Sequence, residues 1–102
     1  MKALFVSYNQ GFGHDVLRLL DREHQRGFTQ WLDIQGRGEM NGEPHYGDHA
    51  WPVQNNAILT VVKDDQKARH LLAELDKMDK ASPDLGLRAF LWNIEESTLP
   101  KE

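Results

Sequence analysis

The sequence predicts an α+β domain with the element order βαββαβ. Two segments repeat apolar residues at the three- and four-residue spacing of an amphipathic helix. Four others are rich in β-branched and aromatic residues and read as strands. The two halves share one plan, each giving a strand, a helix and a strand.

Lys2–Tyr8 (KALFVSY) forms the first strand, and Asn9–Gly13 a turn. From His14 to His24, Val16, Leu17, Leu19 and Leu20 gather on one face, with Arg18, Asp21, Arg22 and Glu23 on the other. Gly27 stands where a helix C-cap is expected. In Phe28–Ile34, residues Phe28, Gln30, Leu32 and Ile34 alternate with Thr29, Trp31 and Asp33, the period of a strand. Asn56–Val62 is the third strand. Asp64 or Asp65 then caps a helix in which Ala68, Leu71, Leu72, Leu75 and Met78 recur at helical spacing. That helix ends before Pro83, and Gly86 opens the last strand, Leu87–Ile94. This order is that of the ferredoxin-like two-layer sandwich, with both helices on one face of an antiparallel sheet.

With 102 residues the chain forms a single domain. Residues 1–96 are expected to make up the domain and 97–102 a loosely held polar tail. A net charge of −4 argues against a nucleic-acid footprint, which needs clustered Lys and Arg. The absence of cysteine removes disulfides, thiolate metal sites and cysteine nucleophiles, and suits a reducing, cytoplasmic setting. The apolar run after Met1 is too short for a signal peptide, and no stretch reaches the length of a membrane span.

Helices can cover only one face of such a sheet, and the other should then alternate with polar residues. Here it does not. The third strand offers Leu59 and Val61 as well as Ile58 and Val62, and the last offers Phe90, Trp92 and Ile94 as well as Leu91. A symmetric oligomer that hides the second face is the expected arrangement.

The segment Gln35–Asn55 (QGRGEMNGEPHYGDHAWPVQN) is a loop by its four glycines and two prolines, yet it carries Tyr46 and Trp51. Long loops inside compact domains are uncommon and usually functional or disordered, and disordered segments are poor in aromatics. It is therefore expected to project and to order against a ligand, a subunit or a partner. His45, Tyr46, His49 and Trp51 are its candidate contacts.

Several ordered pieces resemble the PII signalling superfamily, in particular its divergent PII-like branch. They are Arg26-Gly27-Phe28-Thr29, then Ile34-Gln35-Gly36-Arg37-Gly38 with Gly42, then Leu59-Thr60-Val61-Val62-Lys63-Asp64-Asp65-Gln66, and last Phe90-Leu91-Trp92-Asn93-Ile94-Glu95-Glu96. The likeness spans about Met1 to Glu96. It implies a homotrimer with sheets turned inward, adenine-nucleotide clefts between subunits and a projecting loop that docks on target proteins. By position, Thr29, Gly36, Gly38 and Val61 would line the cleft from one side, and Gly86 and Arg88 from the other. Glycines allow close backbone approach, and Arg88 could fork onto a phosphate or carboxylate. The chain departs from the family pattern in four places. Asn55 stands for a basic residue and Met40 for a glutamine. Ser97-Thr98-Leu99-Pro100 replaces an arginine-rich tail, and Asp84-Leu85-Gly86 shortens a glycine-rich phosphate loop. One arginine per cleft is a thin complement to a triphosphate.

Other motifs carry less. Gly11-Phe12-Gly13 lacks the third glycine of a dinucleotide turn, since Val16 stands there. Arg26-Gly27-Phe28 resembles a fragment of an RNA-recognition consensus but lies on the wrong strand. Glu43, His45, Asp48 and His49 are metal-ligand types, and the copper-tolerance CutA family shares the architecture. A metal-binding or metal-tolerance trimer is thus the alternative function. Ser7, Thr60 and Ser82 have no evident base and orienting partner, so no enzyme is expected. The leading expectation is a non-enzymatic PII-like regulator without a resident cofactor. It would bind a small anionic ligand and signal to a target protein through the 35–55 loop.

Overall fold

In the computed structural model, residues 1–37, 44–45, 54–83 and 86–99 are described, with backbone alone at 36–37 and 44–45. The elements in chain order begin with β1 (Lys2–Asn9), a 3-10 turn (Gln10–Phe12), α1 (Gly13–Arg22) and β2 (Thr29–Ile34). A short ribbon of β3 (Gly36–Arg37) and β4 (Pro44–His45) follows, then β5 (Asn55–Val62), α2 (Asp65–Ala81) and β6 (Leu87–Asn93). The four long strands form one antiparallel sheet in the order β2-β5-β1-β6. This is the predicted ferredoxin-like sandwich.

Each helix follows from its sequence. Val16, Leu19 and Leu20 of α1 and Ala68, Leu71 and Leu75 of α2 are buried, the stripes that helical periodicity places on one side. The Asp64 side chain accepts a hydrogen bond from the Gln66 amide at 2.9 Å, capping α2 as expected. Asp15 and Asp65 in the first turns, and Arg22 and Lys80 in the last, complement the helix dipoles. The helices close over Leu4, Val6 and Tyr8 of β1, Ile58 and Val62 of β5, and Leu87 of β6. Arg22 reaches Glu74 at 3.3 Å across the helix pair. His70, half-exposed, stands 3.4 Å from Glu23.

Three local expectations are corrected. The C-terminus of α1 turns at His24 (φ 58°), not at Gly27. The Gln25 amide bonds to the Leu20 carbonyl at 2.8 Å and the His24 amide to Asp21 at 3.1 Å, a Schellman closure with histidine in the left-handed position. In β2 the alternation breaks. Trp31 faces Ala57 but Ile34 faces Asn55, so Leu32 and Asp33 oppose Asn56 alone. The bulge, with Asp33 at φ 57°, carries Ile34 to the same face as Trp31 instead of that of Gln30. Finally, the segment read as loop from Gln35 begins with a paired ribbon, Gly36 opposite His45 and Arg37 opposite Pro44.

Candidate functional site

Antiparallel register fixes which side chains share the uncovered face, because directly opposed residues point the same way. One row runs Thr29–Leu59–Phe5–Phe90, a second Trp31–Ala57–Ser7–Arg88, and a third Val61–Ala3–Trp92. Aromatic and aliphatic groups dominate two of the three. Phe90 is 55% exposed, Trp92 49% and Trp31 44%, while Phe5, Leu59 and Val61 are half-buried. Contiguous apolar surface of this kind marks an interaction face.

The candidate ligand residues separate into two groups. Thr29 and Val61 lie on β2 and β5, where both line one open groove of about 840 Å³. Gly36 opens the ribbon at the root of the 35–55 loop. Gly86 precedes β6 and Arg88 lies on it, at the far edge of the sheet. Gly86 has φ +74°, a conformation that glycine alone adopts without strain, and its carbonyl accepts from the Asn9 amide at 3.2 Å. One protomer therefore does not bring the two groups together. Gly38, Tyr46, His49 and Trp51 lie outside the described residues, as do Met40, Glu43 and Asp48. His45 is described only by its backbone pairing.

Arg88 does not present a free guanidinium. Its Nη1 stands 3.3 Å from both oxygens of Asp79 on α2 and donates to the Leu87 carbonyl at 2.7 Å. An incoming anion would compete with a carboxylate already in place.

The groove carries charge that the sequence reading overlooked. Its wall is the segment from His24 to Thr29, its floor the end of β5, and its far side the start of α2 with Ser97–Leu99. Arg26, Lys63 and Lys67 all line it, together with apolar Phe28 and Leu59. A buried polar tie holds the wall in place. Gln25 Nε2 donates to Thr60 Oγ1 and to the Val61 carbonyl, each at 2.7 Å, and Thr60 Oγ1 donates to the Gly27 carbonyl at 2.7 Å. Gln25 and Thr60 are both buried, so these bonds satisfy groups that would otherwise be costly to desolvate. The signal was present in the sequence. Once Thr29 is set opposite Leu59, antiparallel pairing carries Arg26 toward the end of β5, where Lys63 and Lys67 follow.

A second polar tie anchors the loop root. Gln10 Nε2 donates to Asp33 and to Asn56 Oδ1, which also accepts the Asp33 amide at 3.1 Å. The Gln10 amide bonds to the Gln54 carbonyl at 2.8 Å. Together they fix the bulge of β2 and the entry to β5, the two ends from which the 35–55 segment departs.

Among the described residues no group of three or more potential ligands could hold a metal ion, and no helix is long and apolar enough to cross a membrane. The Gly11–Gly13 turn is occupied by its own chain, with Phe12 buried and Asn9 accepting the Gly11 amide at 2.8 Å.

No family model and no curated protein matches the chain. Solved structures do. The nitrogen regulatory PII-like protein CPII of Thiomonas intermedia K12, bound to ADP, AMP and bicarbonate, aligns at a TM-score of 0.75 and 20% identity, over 91% of this chain and 84% of that one. A PII-like signalling protein of Thermus thermophilus aligns at 0.61 and 19% identity over 91% and 84%. A DUF3240-family protein of Shewanella baltica OS155 aligns at 0.59 and 16% identity over 98% and 97%. Likeness at this level establishes a shared fold. The chain has the PII-like fold, as the ordered sequence pieces implied.

Proposed function

We propose that this protein is a non-enzymatic PII-like regulator of the cytoplasm. It assembles as a homotrimer through its open sheet face, binds a small anionic ligand such as an adenine nucleotide at the clefts so formed, and signals through the 35–55 loop. The observation that carries the reading is the apolar, aromatic face of Phe5, Trp31, Leu59, Phe90 and Trp92 on a sheet whose other side is already packed. The division of Thr29 and Val61, on the β2–β5 side of the sheet, from Gly86 and Arg88, at its β6 edge, supports it too. Such groups form one site only where two protomers abut. The ADP and AMP held by CPII make an adenine nucleotide the first ligand to test.

Signalling would act by repositioning or ordering the loop. A ligand shifts that equilibrium only by binding one loop state more tightly than the other. The anchored root at Gln10, Asp33 and Asn56 gives the loop a fixed pivot close to the β2–β5 edge.

Light scattering coupled to gel filtration tests the assembly, with a mass three times the 11.8 kDa protomer expected. Calorimetry with ADP, AMP, ATP and 2-oxoglutarate tests the ligand. A monodisperse monomer at micromolar concentration, or silence across that panel, would overturn the reading.

A further inference from the structure

The geometry points to the His24–Thr29 groove as a seat for an organic phosphate with a flat apolar ring, its phosphate held by Arg26, Lys63 and Lys67 of one protomer. The inference rests on the ligand-binding reading above and moves its anion contact from Arg88 to the opposite edge of the sheet.

Charge distribution makes the first argument. The chain has a net charge of −4, yet three cations meet at one groove whose lining, among the described residues, holds a single carboxylate, Asp64. That carboxylate is turned to the Gln66 amide as a helix cap. Elsewhere, Lys2, Arg22, Lys77, Lys80 and Arg88 each lie within 4.0 Å of an acidic side chain. Among the described residues, Arg18, Arg26, Lys63, Lys67 and Arg69 have no such partner, and three of these five line the groove. Like charges that line one groove repel, and an anion of charge near −2 relieves that repulsion.

Construction of the wall makes the second. Arg26 stands between Gln25 and Gly27, whose side chain and carbonyl are tied to Thr60 and Val61 by the bonds described above. Its backbone is thus fixed against β5 before any ligand arrives, which lowers the ordering cost of binding. The first turn of α2, beside Lys63 and Lys67, adds the positive end of a helix dipole.

The lining sets the rest of the ligand. Phe28, Leu59 and Val61 offer an apolar surface next to the cations, suited to a flat ring, and Thr29 adds a hydroxyl at the edge. The arrangement selects a phosphate joined to an aromatic body over a free inorganic ion or an aliphatic carboxylate.

Displacement of the fluorescent nucleotide mant-ADP measures this directly on the unaltered protein, with ADP and inorganic pyrophosphate as competitors. Both should compete, ADP more strongly, and both should weaken as salt rises. The triple variant Arg26→Gln/Lys63→Gln/Lys67→Gln should bind ADP about 30-fold more weakly, roughly threefold for each exposed cation removed. Its circular dichroism should match the parent. Arg18→Gln, at an exposed cation outside the groove, should change ADP affinity by less than about threefold. If the triple variant keeps parental affinity while Arg88→Gln loses it, the anion sits at the β6 edge; the inference fails and the ligand-binding reading stands. Failure of pyrophosphate to compete while ADP does would also remove the three-cation seat. If neither mant-ADP nor ADP binds the parent protein, the inference and the nucleotide reading fall together.

Discussion

The two faces of the central sheet are built from the same strands and meet different ends. Beneath the helices, Leu4, Val6, Tyr8, Ile58, Val62 and Leu87 are closed over by α1 and α2. On the other face, one residue along each strand, Phe5, Leu59 and Val61 stay half-buried, and Trp31, Phe90 and Trp92 remain largely exposed. Similar side chains thus serve two purposes. One face stores the stability of the protomer; the other leaves apolar area uncovered. Polar groups follow the same division. The helix side buries only a few, most of them hydrogen-bonded, whereas three of the five described cations without an acidic partner, Arg26, Lys63 and Lys67, collect around the groove at the β2–β5 edge.

Substitutions on the two faces should separate these roles. The largest loss of protomer stability is expected from Leu71→Ala, a fully buried contact of α2, at about 3 kcal/mol by urea unfolding. A cost below about 1 kcal/mol would mean that the helix layer is not the core of the protomer. On the other face, Phe90→Asp with Trp92→Asp should convert the assembly to monomers that keep native circular dichroism. Were the pair to leave the sedimentation coefficient unchanged, that face would not be the interface.

Smaller effects sharpen the contrast within the helix side. The Tyr8 hydroxyl is wholly buried with no hydrogen-bond partner among the described residues, so Tyr8→Phe should raise stability by about 1 kcal/mol. Destabilisation instead would reveal a partner for that oxygen. His24→Gly should add about 0.5–1 kcal/mol by removing a side chain from a left-handed position. An unchanged thermal midpoint would show that the histidine is not strained there.

Acid gives the gentlest perturbation. The Lys77 ammonium, which donates a hydrogen bond to Glu74, holds that carboxyl below its ordinary value of 4.5. The amino terminus does the same for Asp65 below 3.8. Both folded values are depressed, so the stabilisation is present above the ordinary values and fades as pH falls through the lowered ones. Glu74→Gln should flatten the decline in thermal midpoint below about pH 4.5, and an identical acid profile would show that the pair contributes nothing.

Much of the fold was legible because the period of apolar residues states both the element and its buried side. Leu71 and Leu75, or Ile58 and Val62, leave little choice. What escaped was local geometry that breaks a period. The bulge at Leu32 and Asp33 redirects Ile34, and His24 closes α1 where a glycine three residues later looked the better cap. For the site, the resemblance chose residues by position and so favoured Arg88, whose neutralisation by Asp79 comes from a helix on another layer of the fold. It passed over Lys63 and Lys67, whose role depends on where Arg26 lies in space.

Pattern alone therefore determined that this chain makes two amphipathic helices and the four strands of its main sheet, and that this sheet is apolar on both sides, since side-chain direction along a helix or strand is set by backbone geometry. Only the tertiary structure decided which cations stand free and which are neutralised. Charge pairing depends on separation in space, and strand register and helix docking bring together residues that the sequence keeps far apart.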